Sequence, residues 1–83
     1  MNNEMIQKVA IIGAGTMGIG ISHSFAQHGY FVELIDVSEE ILNNAFTSIS
    51  LNLDRQIKKG IIFPETKSDA LSRIKLVSDI KNI

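Results

Sequence analysis

Three glycines set directly after an apolar run limit this chain more than any other feature. The run is Lys8-Val9-Ala10-Ile11-Ile12, and Gly13-Ala14-Gly15-Thr16-Met17-Gly18 follows without a break. A run apolar on both faces reads as a strand covered on both sides, the pattern of a parallel sheet. Gly13 allows the tight turn out of that strand. Gly15, lacking a side chain, lets the backbone come close to a pyrophosphate. Gly18 allows a helix to pack closely on the strand it follows. An anion at such a loop meets free N–H groups and the positive end of the helix dipole.

The elements around the loop follow from spacing. A helix is expected from about Thr16 to His28, with Met17, Ile21 and Phe25 as its apolar stripe. Gly29 stands where a left-handed cap is wanted. A second strand, Phe31–Ile35, ends on Asp36. Ser38 is a good N-cap, and Glu39 and Glu40 complement the dipole of the long helix they open, Glu39 to about Lys59. Ile41, Ala45, Ile49, Leu53 and Ile57 form its stripe, with Leu42 and Phe46 beside them. Lys58, Lys59 and Gly60 end it. Pro64 starts a short helix to about Ser72, and Ile74–Val77 reads as a third strand. The order β-α-β-α-α-β predicts an α/β fold with right-handed crossovers. It is the first mononucleotide-binding half of a Rossmann-type domain, a parallel three-stranded sheet in the order 3-2-1.

Asp36 lies 18 residues after Gly18, at the end of the second strand. A carboxylate there can accept hydrogen bonds from an adenosine ribose diol and repel a 2′-phosphate. Val37 and Ser38 follow, so no Arg is at hand to welcome that phosphate. The candidate cofactor-binding residues are Gly13, Gly15, Thr16, Met17, Gly18 and Asp36, and the cofactor they suit is NAD. FAD is a minor alternative, since FAD proteins share the glycine pattern but more often carry Glu at the acidic position. The plainer reading, a turn and an acid that merely ends a strand, has to explain three glycines, the acid and both flanking elements at once.

Composition removes other classes. The 83 residues allow one small domain, and the absence of cysteine excludes disulfides and thiolate metal sites. A net charge of -1 gives no support to a nucleic-acid or membrane-surface partner. Met1-Asn2-Asn3-Glu4-Met5 has no leader pattern, and no apolar run is long enough to span a membrane, so a cytoplasmic protein is expected. No metal-ligand spacing and no Ser/His/Asp order is present. His23 and His28 read as surface residues without an acidic partner in sequence. Arg55 and Lys59, four apart, share a helix face that either reaches one anionic partner or is simply a solvated basic face.

The stretch Lys8 to Ile21 resembles the opening of the NAD-dependent 3-hydroxyacyl-CoA dehydrogenases, most of all the bacterial 3-hydroxybutyryl-CoA group. The resemblance continues through His28-Gly29-Tyr30, Leu34-Ile35-Asp36-Val37-Ser38, Asn52-Leu53, Lys58-Lys59-Gly60 and Leu71-Ser72-Arg73-Ile74. It implies interconversion of (S)-3-hydroxyacyl-CoA and 3-ketoacyl-CoA with NAD(H), in fatty acid metabolism, by a homo-oligomer. It also implies that the glycine loop holds pyrophosphate, Asp36 the ribose, and Arg55 and Lys59 the CoA part of an acyl-CoA substrate. Three residues depart from the family's usual pattern: Ile19, where a small residue is usual; Ser22, where Ala is; and Glu33, where an apolar residue is. The family's catalytic His, its Glu partner and the Ser and Asn that hold substrate have no counterpart in residues 1–83, so no catalytic residue is assigned.

A dinucleotide site takes two βαβαβ halves in the strand order 3-2-1-4-5-6. Residues 1–83 are therefore expected to be the N-terminal part of an NAD-binding domain, inactive without the second half and a C-terminal substrate and dimerisation domain. Both crossovers put their helices on one sheet face, leaving Ala10, Ile12, Phe31 and Ile35 bare and the first strand an open edge. A competing expectation is a stand-alone, non-catalytic nucleotide-binding or interaction module that self-associates to cover that face. A 3-hydroxyacid dehydrogenase of another type fits the long Glu39–Lys59 helix and its Lys58-Lys59-Gly60 end less well.

Overall fold

The computed structural model describes residues 7–78. The first five residues, expected to carry no leader, lie outside that range. The chain runs β1 (Lys8–Ile12), α1 (Thr16–Gln27), β2 (Phe31–Ile35), α2 (Glu39–Lys58), α3 (Pro64–Ser72) and β3 (Ile74–Val77). The three strands are parallel, with β2 between β1 and β3. This is the expected order. The two longer helices stop one residue earlier than expected, because His28 and Lys59 serve as C-caps. Gly29 and Gly60 then take positive φ angles of 98° and 74°, as left-handed caps require.

One face of the sheet carries the core. Val32, Leu34 and the half-buried Val9, Ile11, Ile74 and Leu76 pack against Ala26 of α1, Leu42, Ala45, Ile49 and Leu53 of α2, and Ala70 of α3. In α2 the buried stripe is narrower than its apolar positions: Ile41 remains exposed and Ile57 half-buried. Lys67 of α3 pairs with Asp54 of α2 at 2.6 Å across the outside of the two helices.

The face that α1 presents to the core differs from the expected one. Gly18, Ser22 and Ala26 are its buried residues, whereas Met17 is 77% exposed and Ile21 39%. The helix lies so close to the sheet that only small residues fit along the line of contact. Ile19 and Phe25 pack as shoulders on either side of it. Phe25 also meets Tyr30 edge to face, with ring centroids 5.0 Å apart, where the chain turns into β2.

Ser22 is fully buried, and its hydroxyl has no hydrogen-bond partner among the described residues. A buried hydroxyl that gives up water without a protein partner is a net cost. Ser22→Ala is therefore expected to stabilise the fold by about 1 kcal/mol. Urea unfolding of the variant beside the wild type checks this, and a lower midpoint would contradict it.

The opposite face is open on β1. Ala10 and Ile12 are exposed there, Ile12 by 74%, and Phe31 of β2 is 45% exposed. Ile35, which the sequence pattern places with them as a bare residue, is instead fully buried. It is on the central strand, in register with Ile12 on one side and Val77 on the other. Glu33 lies at the polar end of this face and pairs with Lys8 at 3.2 Å.

Candidate functional site

Parallel strands bring their C-terminal ends together, and the glycine loop leaves β1 at that end. Gly13 takes a φ of 97°, and its N–H donates to the Ile35 carbonyl at 2.8 Å. The turn is thus held to the end of the neighbouring strand. Gly18 sits against the same turn: a Cβ built on it would stand 2.1 Å from the Gly13 carbonyl oxygen. Gly15 is the N-cap of α1, and a Cβ there would meet nothing within 4 Å. The two glycines serve different ends, close packing at Gly18 and open approach at Gly15.

The N-termini of α1 and α2 make an instructive contrast. That of α2 is filled from within: the Ser38 hydroxyl accepts from the Ile41 N–H at 3.2 Å, and Glu39 and Glu40 occupy the first turn. That of α1 has no side-chain cap and no acid in its first turn. Its leading N–H groups and positive dipole end are open to an anion supplied from outside.

Asp36 closes the site on the other side. Its own N–H donates to the Val77 carbonyl at 3.1 Å, which anchors it to β3. One carboxylate oxygen accepts from the Ala14 N–H and the other from the Ser38 N–H, each at 3.1 Å. These N–H groups, Ala14 first, hold the Asp36 carboxyl below the usual carboxylate range. Each oxygen accepts one hydrogen bond and keeps capacity for another, so a ribose diol can still be bound. The site therefore has the parts a dinucleotide needs: an uncapped helix end for pyrophosphate, an open glycine beside it and a fixed anion for the ribose.

The structure brings Gly13, Gly15, Thr16, Met17, Gly18 and Asp36 to this one end of the sheet. Arg55 and Lys59 are elsewhere: α2 begins beside Asp36, and Arg55 lies 16 residues along it, roughly 24 Å away. Both are exposed, and the Arg55 guanidinium bonds the Asn52 side chain. His23 and His28 make local helix contacts, His23 with the Gln27 side chain at 2.8 Å and His28 with the Ser24 carbonyl at 2.7 Å. A hollow of about 310 Å³, bordered by Lys8, Phe31, Glu33, Arg73 and Lys75, lies at the opposite, N-terminal ends of the strands. It takes no part in the loop. Among the described residues no helix is long and apolar enough to cross a membrane, and no group of three metal-ligating side chains occurs.

Residues 8–83 match the family described as 3-hydroxyacyl-CoA dehydrogenase, NAD binding domain. The chain belongs to that family. NAD is accordingly the cofactor of this domain, and the dehydrogenases that carry the domain are NAD-dependent oxidoreductases. A 3-hydroxybutyryl-CoA dehydrogenase of Bradyrhizobium diazoefficiens is 47% identical over 70 residues, which are 84% of this chain and 24% of the relative. The 3-hydroxyadipyl-CoA dehydrogenase of Escherichia coli is 41% identical over 90% of this chain and 16% of its own length. The crystal structure of (S)-3-hydroxybutyryl-CoA dehydrogenase from Ralstonia eutropha superposes with a TM-score of 0.88 at 36% identity. That match covers 94% of this chain and 28% of the solved one. The chain thus spans about a quarter or less of the two curated relatives named here.

Two contacts at the site escape sequence reasoning: the Ala14 N–H on Asp36, and the N–H of Ser38, a residue read only as a helix cap. Both act through backbone N–H groups, which no side-chain pattern reveals. Their only signal was position, one inside the glycine loop and the other two residues after the acid.

Proposed function

We propose that residues 1–83 form the first mononucleotide-binding half of the NAD-binding domain of an oxidoreductase that interconverts (S)-3-hydroxyacyl-CoA and 3-ketoacyl-CoA. The proposed substrate is 3-hydroxybutyryl-CoA. The observation that carries the reading is the pairing of an uncapped, acid-free α1 N-terminus with the Asp36 carboxylate held beside it. In this reading Gly13, Gly15, Thr16, Met17 and Gly18 cradle the pyrophosphate, and Asp36 takes the adenosine ribose. Arg55 and Lys59, remote from the loop, serve the CoA moiety. NAD, when bound, accepts or supplies the hydride. The part played by these residues is to bind and orient it, and none of them is assigned to proton transfer.

In the same reading the protein is a cytoplasmic homo-oligomer, and the second half of the domain covers Ile12 and Phe31. The self-associating module draws on the same exposed face. The relatives' greater length and their dehydrogenase names favour the enzyme. Titration of the full-length protein with NAD, and an assay with acetoacetyl-CoA and NADH, test the reading. Saturable NAD binding with turnover is expected, and none from residues 1–83 alone. A full-length protein that binds no NAD would refute it.

A further inference from the structure

We infer that Asp36 is also a positioning residue for the glycine loop, latching it so that its N–H groups are aimed before any ribose arrives. The inference rests on the site reading above and goes beyond ribose recognition. The end of β2 grips the first two loop residues in different ways. The Ile35 carbonyl takes the Gly13 N–H at 2.8 Å, and the Asp36 carboxylate takes the Ala14 N–H at 3.1 Å, across 22 residues of chain. Ala14 is buried, only 3% exposed, and its methyl joins Leu34, Leu42 and Ala45. A buried N–H needs a partner, and an ionised acceptor makes a stronger bond than a neutral one.

Beyond Ala14 little else among the described residues restrains the loop. Gly15 has open space where a side chain would be, and no side chain caps α1. The second carboxylate oxygen, on the Ser38 N–H at 3.1 Å, ties the latch to the start of α2. The two roles do not compete, because each oxygen retains an acceptor position for a ribose hydroxyl. The consequence is specific: loss of the carboxylate weakens ligands that have no diol to offer it.

The test uses the full-length protein and two ligands, NAD and NAD lacking the adenosine 2′- and 3′-hydroxyls. Asp36→Ala is expected to weaken the diol-free dinucleotide about tenfold. It should also speed hydrogen exchange at the Ala14 amide, while the Leu53 amide in the core keeps its protection. Asp36→Asn, close in shape and keeping one acceptor oxygen, should lose less; it serves if the alanine variant does not fold. Unchanged affinity for the diol-free ligand together with an Ala14 amide still protected would overturn the latch while leaving ribose recognition standing. Failure of the wild-type protein to bind NAD would overturn the site itself, and the latch with it.

Discussion

Gly18→Ala is expected to abolish dinucleotide binding and to destabilise the fold by about 3 kcal/mol or more. The added methyl would lie 2.1 Å from the Gly13 carbonyl oxygen, 3.2 Å from its carbon and 3.7 Å from the Ile11 Cγ2. The first two obstacles are backbone, so no rotamer change relieves them. Either α1 tilts off the sheet or the Gly13 turn moves. That turn is fixed by a φ of 97° and by its hydrogen bond to Ile35. Tilting α1 would open the line of Gly18, Ser22 and Ala26 that seats the helix on the core. Either way the N–H groups proposed to face the pyrophosphate lose their aim.

Gly15→Ala provides the contrast, since its methyl would meet nothing within 4 Å. It should leave stability within about 0.5 kcal/mol of wild type while weakening NAD, because the new methyl stands where the pyrophosphate approaches. Urea unfolding and NAD titration of both variants in the full-length protein separate packing from binding. Wild-type stability for Gly18→Ala would contradict the packing argument.

The contrast between these glycines also shows what could be read from sequence. The six elements, their order and the turn at Gly13 follow from local rules: apolar runs, caps, and glycines at positive φ. The α1 stripe did not, because hydrophobicity favours Met17 and Ile21 whereas the distance between helix and sheet selects Gly18, Ser22 and Ala26. Such a distance is a property of the assembled layers. Arg73 makes the same point. No base stands in the last turn of α1, yet the Arg73 guanidinium donates to the Ala26 carbonyl at 2.8 Å, 47 residues away in sequence. Only the fold brings that charge to the negative end of the helix. At the site, Asp36 was legible as an acid closing a strand, but its bonds to two backbone N–H groups depend on a register that spacing alone does not define. Ile35 is buried for a related reason: it is flanked on both sides, unlike Ile12 on the open edge.

NADP is expected to bind the full-length protein about 100-fold more weakly than NAD, or worse. A 2′-phosphate at the ribose would face the Asp36 carboxylate. Like charges at about 5 Å repel, and the phosphate carries more than one of them, which is the source of the two powers of ten. The carboxylate cannot swing aside without giving up the N–H groups of Ala14 and Ser38. Among the described residues, Arg55, Lys58 and Lys59 stand at the far end of α2 and offer no offset. Val37, next to the acid, is 75% exposed. Val37→Arg should bring a guanidinium to the phosphate and cut the preference for NAD about tenfold.

The pH dependence has a defined sign. The Ala14 and Ser38 N–H groups lower the Asp36 pKa in the folded protein, so its contribution is present above the ordinary carboxylate value near 3.9 and is lost as pH falls through the lower, folded value. Asp36 should therefore stay ionised from about pH 8 to about pH 5, and the preference for NAD should change there only as the 2′-phosphate gives up its second charge at about pH 6. A preference lost altogether near pH 5, where the phosphate still carries one charge, would mean that a group other than Asp36 rejects it. Equal affinity for the two cofactors would mean that the carboxylate does not stand at the ribose at all.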